Sequence, residues 1–175
     1  MTGAYLVEKA GKQPRRRAID IPLIEQAKIQ ARLLVPLLRT LQAELGEARA
    51  NELVRKALGD HFRRVGETVW KRRGEHGLGE KMAASFEISG AGDALDYEVL
   101  AKTEDTFDLN VTGCRYAAFY RELGAPELGF LLVCSSDFPM AEGFGEVELT
   151  RTQTIMQGAS HCDFRYRLKQ AAKAD

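Results

Sequence analysis

The spacing of apolar residues changes near residue 80, and this change constrains the fold more than any other feature of the sequence. Before it, apolar side chains recur every three or four residues, as they do on one face of an α-helix. After it, apolar and polar residues alternate, which is typical of strands with one buried face. We therefore expect an α+β fold in which N-terminal helices pack on a mostly antiparallel sheet that carries two inserted helices.

Two helices are predicted in the N-terminal part. The first covers 20–45, with Asp20 as its N-cap, and Pro36 is expected to kink or split it. The second covers 47–72 and ends in a cluster of basic residues that suits the C-terminal end of a helix. A glycine-rich linker at 74–79 follows, where the composition changes.

Five or six strands are predicted after the linker, interrupted by two helices. The strands are expected around Phe86 and Ile88 and at 95–101, 107–111, 146–151, 153–158 and 162–168. The inserted helices are expected at 116–123 and 126–134, followed by a loop with one helical turn at 135–145. We expect a flexible arm, a helical region, and a sheet region that shares one compact domain with it, at 1–18, 19–79 and 80–175.

Charge and composition exclude several classes of function. Twenty-five basic and twenty-five acidic residues cancel, so no global positive field favours nucleic acid or an anionic membrane as a partner. No apolar stretch approaches the roughly 18 residues of a membrane-spanning helix. The start of the chain lacks the layout of a signal peptide, and three widely spaced cysteines do not suggest a disulfide framework. We expect a cytoplasmic protein with free thiols.

The standard signatures of metal and nucleotide sites are missing. The sequence has no Cys-x-x-Cys, no His-Glu-x-x-His and no glycine-rich phosphate loop between a strand and a helix. We therefore predict neither a metal nor another cofactor.

Two cysteines are candidates for chemistry. Cys114 lies at the predicted start of a helix, where the partial positive charge of the N-terminus lowers the pKa of a thiol. Cys162 lies on the apolar face of the last predicted strand. The alternative for both is that they are small buried hydrophobic residues, which free cysteines commonly are.

Four acidic and basic positions complete the set of candidates from residue chemistry alone. Asp137 lies in the irregular loop after a helix, where it is either a functional acid or a turn residue. Asp163 alternates with Arg165 along a strand, which favours an ion pair on one face. Arg151 and Arg165 each have the forked geometry that binds a carboxylate.

Several blocks in the second half of the chain resemble the L-2-amino-thiazoline-4-carboxylic acid hydrolase family. They are VTGCRY at 111–116, FYRELGAPELG at 119–129, DF at 137–138, AEGF at 141–144, VELTRTQT at 147–154 and CDFRY at 162–166. The N-terminal helices and first strands agree with the family only in general layout.

The resemblance implies a hydrolase that opens a C–N bond in a small cyclic amidine or amide. The named reaction of the family opens the thiazoline ring to give a carbamoyl-cysteine. On this basis we expect a thiolate nucleophile that opens onto a cavity, and proton transfer by an aspartate. The catalytic candidates are Cys114, Asp137, Cys162 and Asp163, and the substrate-binding candidates are Arg165, Tyr116, Glu142 and His161.

Two other classes of function stay open. The same layout resembles in outline the vinyl-reductase-type domains that bind small molecules, in which case the cysteines line a closed apolar pocket. A structural role is the third alternative, with the helical N-terminal half forming a homo-oligomer.

Overall fold

A computed structural model describes residues 21–169, so the arm predicted at 1–18 and the Asp20 cap lie outside the described residues. The α-helices are Leu23–Leu45 (α1), Glu47–Arg72 (α2), Leu78–Gly90 (α3), Arg115–Glu122 (α4), Pro126–Leu132 (α5) and Asp137–Gly143 (α6). The strands are Leu95–Lys102 (β1), Thr106–Cys114 (β2), Val147–Thr150 (β3) and Cys162–Leu168 (β4).

The four strands form one antiparallel sheet in the order β1-β2-β4-β3. Within residues 21–169, three α-helices precede the sheet and three lie between β2 and β3. The α+β architecture is therefore confirmed, and so are the two inserted helices, α4 and α5. The third inserted helix, α6, lies where the sequence predicts a loop with a single helical turn.

One face of the sheet is buried against the helices. Alternation along β2 turns Phe107 and Leu109 into the core, and alternation along β4 does the same for Phe164 and Tyr166. The ring of Phe86 in α3 lies 5.9 Å from Phe107, 5.3 Å from Phe164 and 6.3 Å from Tyr166 between centroids. This aromatic cluster fixes α3 on the sheet.

The strand predicted around Phe86 and Ile88 is wrong, because both residues belong to α3. Leu78, Met82 and Phe86 are four residues apart and buried, whereas Ile88 is exposed. The helical spacing of the three buried residues therefore determines the secondary structure here, and the alternation of Phe86 and Ile88 does not. The predicted linker is correspondingly shorter, since α3 begins inside it.

The strand predicted at 153–158 is also wrong, because Ile155–Gln157 forms a 3₁₀ turn. The hydroxyl oxygen of Thr154 accepts a hydrogen bond from the backbone N–H of Gln157 at 3.2 Å. This local bond gives the backbone an alternative to pairing with a strand.

The predicted break at Pro36 does not occur, and α1 runs unbroken from Leu23, a start that is three residues later than predicted. Pro36 and Arg32, whose carbonyl loses its helical partner, are both exposed, so water can satisfy that carbonyl. No helix between residues 21 and 169 is both long and apolar enough to cross a membrane.

Two glycines allow α2 and α6 to touch backbone to backbone. A Cβ atom on Gly66 would lie 2.2 Å from the carbonyl oxygen of Met140, and one on Gly143 would lie 2.1 Å from that of Arg63. Because α6 begins with Asp137, this contact fixes the height of that carboxylate relative to the sheet.

We expect Gly66→Ala to destabilise the protein by about 1–3 kcal/mol, since the new methyl group would overlap the backbone of α6. Gly59→Ala is the matched control on the same helix, with no atom within 4 Å of the added Cβ. It should stabilise the helix by up to about 1 kcal/mol. Urea unfolding measures both values, and equal stability of the two variants would contradict the tight contact.

Candidate functional site

Three free cysteines converge where β2, β4 and the turn after α5 meet. Cys114 ends β2 and caps α4, Cys162 begins β4, and Cys134 begins a 3₁₀ turn. Negative charge on Cys114 or Cys162 would raise the pKa of Cys134. The sulfur atoms therefore lie close enough to affect one another electrostatically.

Cys114 occupies the predicted position at the start of a helix. The partial charge of the helix N-terminus is, however, not enough to ionise its thiol. The sulfur accepts a hydrogen bond from the backbone N–H of Ala117 at 3.4 Å. Burial raises the pKa of the thiol, and the negative charge of Asp137 adds to this rise. Hydrogen bonds from the backbone of the first helical turn lower the pKa by less. The expected resting thiolate is thus wrong in direction.

The other two thiols are protonated for the same reason. Burial raises the pKa of Cys162, whose sulfur accepts a hydrogen bond from the backbone N–H of Ile155 at 3.2 Å. Burial and then the charge of Asp137 raise the pKa of Cys134.

Asp137 and Arg151 form an ion pair beside these thiols. Nη1 of Arg151 donates to Oδ2 of Asp137, and Nη2 donates to the carbonyl oxygen of Cys134 at 3.0 Å. The Arg151 side chain is only 2% exposed, whereas that of Asp137 is 32% exposed. Desolvation of the carboxylate by the surrounding protein raises the pKa of Asp137 to about 6. The charge and the hydrogen bond of Arg151 oppose this shift.

Two aromatic rings enclose the guanidinium of Arg151. Its central carbon lies 5.1 Å from the centroid of the Phe138 ring and 5.2 Å from that of the Phe164 ring. Phe164 belongs to the core, while Phe138 is 36% exposed. Cation–π attraction and the hydrogen bonds together hold the guanidinium in one orientation.

The sheet separates Asp163 and Arg165 from this site. Both lie on the face of β4 opposite Cys162 and Phe164. Asp163 accepts hydrogen bonds from the backbone N–H groups of Thr152 and Gln153 at 3.0 and 2.9 Å. Partial burial alone would raise the pKa of Asp163, but these bonds and that from the Thr152 hydroxyl lower it overall.

Arg165 is held by its own strand neighbours. Nη1 donates to the carbonyl oxygen of Leu109 at 2.9 Å, and Nη2 donates to Oδ1 of Asn110 at 2.9 Å. These contacts join β4 to β2 on the outer face of the sheet.

Of the remaining substrate-binding candidates, Tyr116 alone borders the thiols. Burial and the charge of Cys114 raise the pKa of Tyr116 to about 12, and its hydroxyl donates to the carbonyl oxygen of Ser89 at 3.2 Å. Glu142 faces α2, where it binds Arg63 at 2.7 Å.

His161 lies on the loop before β4. One of its ring nitrogens is 2.9 Å from the side-chain amide of Gln153.

None of the three cysteines lines either of two surface cavities. One of about 560 Å³ is lined by Glu75, Gly77, Thr103, Glu104, Asp105 and Leu168. The other, of about 250 Å³, is lined by Arg55, Leu58, Gly59, Arg63, Ser135, Ser136, Pro139 and Glu142. Neither is the cavity expected beside Cys114. Between residues 21 and 169, no three His, Cys, Asp or Glu side chains are arranged to bind a metal ion.

The sequence predicts Arg151 as a carboxylate binder, and it also carries a signal that this arginine is buried. Val147, Leu149 and Arg151 alternate along β3 and the residue after it, which places the arginine on the core side. A charged residue on a buried face requires a partner. The stacking of Phe138 on Arg151 has no comparable signal, because it depends on the angle at which α6 meets the sheet.

Comparisons with known proteins give one family match. A family model described as L-2-amino-thiazoline-4-carboxylic acid hydrolase matches residues 26–166. No curated protein matches the sequence.

Several solved structures match at low identity. One is the phenol-responsive sensory domain of the transcription activator PoxR with phenol, at 15% identity and a TM-score of 0.47, covering 77% of this chain and 72% of that chain. Another is the Fe(II) unliganded H-NOX protein from K. algicida, at 14% identity and a TM-score of 0.42, covering 81% of this chain and 75% of that chain.

We expect the Cys114 thiol to alkylate slowly at neutral pH, because its raised pKa leaves little thiolate. With iodoacetamide, the folded protein should react at this position at least about tenfold more slowly than the urea-unfolded chain. Peptide mass spectrometry reads the rate for each cysteine separately. Fast alkylation of folded Cys114 well below pH 8 would contradict the structure.

Proposed function

The chain belongs to the L-2-amino-thiazoline-4-carboxylic acid hydrolase family, and from that premise we propose that it hydrolyses a C–N bond in a small cyclic amidine or amide that carries a carboxylate. The observation that carries the proposal is the Asp137 carboxylate, which is 32% exposed, has a pKa of about 6, and lies close enough to the Cys114 thiol for its charge to raise the pKa of that thiol. A thiol with a nearby acid–base group is a recurring arrangement in covalent catalysis.

Asp137 activates the thiol in this mechanism. Its pKa of about 6 leaves it mostly ionised at neutral pH, whereas Cys114 holds its proton. The carboxylate takes the proton as the sulfur bonds to the amidine carbon. The same proton then passes to the ring nitrogen as the C–N bond breaks. Water adds to the carbon, and the thiol leaves with a proton, which restores the enzyme.

Cys114 is favoured over Cys162 as the nucleophile. Cys162 is buried, with only 7% of the residue exposed. Cys114 is half-buried and ends a strand at the edge of the cluster. Asp163 and Arg165 are left out of the proposal, since the sheet lies between them and the thiols.

The partner in this proposal is a small molecule, and no macromolecule is needed for the reaction. Free thiols suit a reducing compartment, so we place the protein in the cytoplasm.

A second candidate is a small-molecule-binding domain without turnover. The raised pKa of all three thiols favours it, because protonated and buried cysteines serve well as the lining of an apolar pocket. Binding of the thiazoline carboxylate to the wild type without ring opening would support this candidate against the hydrolase.

Turnover of L-2-amino-thiazoline-4-carboxylate, followed by chromatography of the ring-opened product, tests the roles of the two residues. We expect Cys114→Ser and Asp137→Asn each to reduce kcat by about 100-fold or more. Asp108→Asn is the matched control, because Asp108 forms an ion pair with Arg167 away from the thiols. Full turnover in Cys114→Ser would remove the nucleophile, and loss of turnover in Cys162→Ser alone would transfer the role to Cys162.

The pH profile tests the role of Asp137 independently. A base must be ionised to act, so kcat/KM should rise with pH through an apparent pKa of about 6. Asp137→Asn should remove this limb from its residual activity. A profile whose acidic limb stays unchanged in Asp137→Asn would exclude Asp137 as the base.

A further inference from the structure

We propose that Arg151 binds the carboxylate of the substrate, and that the substrate gains this position by displacing Asp137 from the guanidinium. This inference rests on the proposed function, because it assigns the residue that selects an acidic substrate at the same site. Asp137 then has two states, as the counter-ion of Arg151 in the free protein and as the proton carrier in the complex.

The guanidinium is positioned without help from Asp137. Phe138 and Phe164 enclose it, and the carbonyl oxygen of Cys134 accepts from Nη2. Removing the carboxylate therefore leaves a cation whose orientation is already fixed. A fixed arginine is well suited to bind an incoming carboxylate, since little side-chain freedom remains to be lost on binding.

The pair is accessible from one side, which is the side of Asp137. Arg151 is 2% exposed and Asp137 is 32% exposed, so a solute meets the aspartate first. The ring of Phe138 beside it is also partly exposed and gives a flat apolar surface for a small heterocycle. Both side chains belong to the first turn of α6, so this turn is the exposed side of the ion pair.

Exchange of one carboxylate for another avoids the main cost of opening a buried ion pair. A buried guanidinium without a counter-ion is strongly unfavourable. An anionic ligand keeps the guanidinium paired throughout, and the displaced Asp137 carboxylate is partly exposed and can be hydrated, whereas a neutral ligand cannot replace the carboxylate. The site therefore selects for an acidic substrate.

Displacement also prepares the base. The charge and hydrogen bond of Arg151 lower the pKa of Asp137, so separation from Arg151 makes the carboxylate a stronger base. The proton of Cys114 is consequently removed most readily when an anionic ligand is bound. This couples substrate recognition to activation of the thiol.

The outer-face Arg165 is the competing anchor, and it lacks this arrangement. Its guanidinium donates to two backbone carbonyls and to a neutral amide oxygen, none of which is a carboxylate that a ligand could replace. It also lies on the far side of the sheet from the thiols.

The test compares L-2-amino-thiazoline-4-carboxylate with its neutral carboxamide in Arg151→Lys. We expect the preference for the carboxylate, measured as the ratio of kcat/KM values or of dissociation constants, to fall by about tenfold or more. Arg167→Lys is the matched control, because Arg167 forms an Arg–Asp pair with Asp108 on the outer face of the sheet. This variant should leave the ratio unchanged. An unchanged ratio in Arg151→Lys, or a collapsed ratio in Arg165→Lys, would overturn the assignment.

A second variant keeps the test decisive if Arg151→Lys fails to fold. Asp137→Asn removes the internal competitor, so the thiazoline carboxylate should bind this variant several-fold more tightly than the wild type in calorimetry. Weaker or equal binding would overturn the displacement. Tight binding that depends on Arg151 but gives no turnover would support the role of Arg151 and refute the hydrolase. Turnover that does not depend on Arg151 would support the hydrolase and refute the role of Arg151.

Discussion

A buried guanidinium must be paired, and the second half of the fold is arranged around meeting that requirement for Arg151. The arginine follows β3, its carboxylate partner begins α6, its carbonyl partner begins the turn after α5, and one of its rings comes from β4. Four segments thus share one charge. Because desolvated charge is costly when unpaired, none of these segments can shift independently of the others.

The glycine contact between α2 and α6 connects this requirement to the N-terminal helices. The carbonyl oxygen of Met140 would overlap a Cβ atom on Gly66, and that of Arg63 would overlap a Cβ atom on Gly143. Helices that pack this closely have little freedom to slide. The helical half of the protein therefore holds Asp137 at the correct height for Arg151, and it is part of the site without contributing a reactive group.

Periodicity predicted the elements well where the pattern was long, and it failed where only a few residues carried it. The second helix and β4 have the predicted bounds, and the helical insertions follow β2 as expected. Phe86 and Ile88 alternate, but the helical spacing of Leu78, Met82 and Phe86 extends further and prevails. At Thr154, a single side-chain hydrogen bond outweighs the tendency to form a strand. Such local competition is not visible in a count of apolar residues.

The sequence predicted part of the candidate site. The alternation of side chains along β4 explains why two of the predicted residues lie elsewhere. The same period that puts Cys162 on the inner face puts Asp163 and Arg165 on the outer face, so the block at 162–166 could not supply one site. Cys114 was placed correctly at the helix start. Its charge state depended on burial, which outweighs the few backbone dipoles of an eight-residue helix.

A protonated thiol changes what the cluster needs in order to react. A thiolate would be reactive at all times, including toward oxidants and unrelated electrophiles. With the proton retained, reactivity depends on a base, and the only base whose charge reaches Cys114 among the described residues is Asp137, which Arg151 occupies. The reactivity of Cys114 therefore depends on whether Asp137 is paired with Arg151. That pairing depends in turn on whether another anion binds the guanidinium.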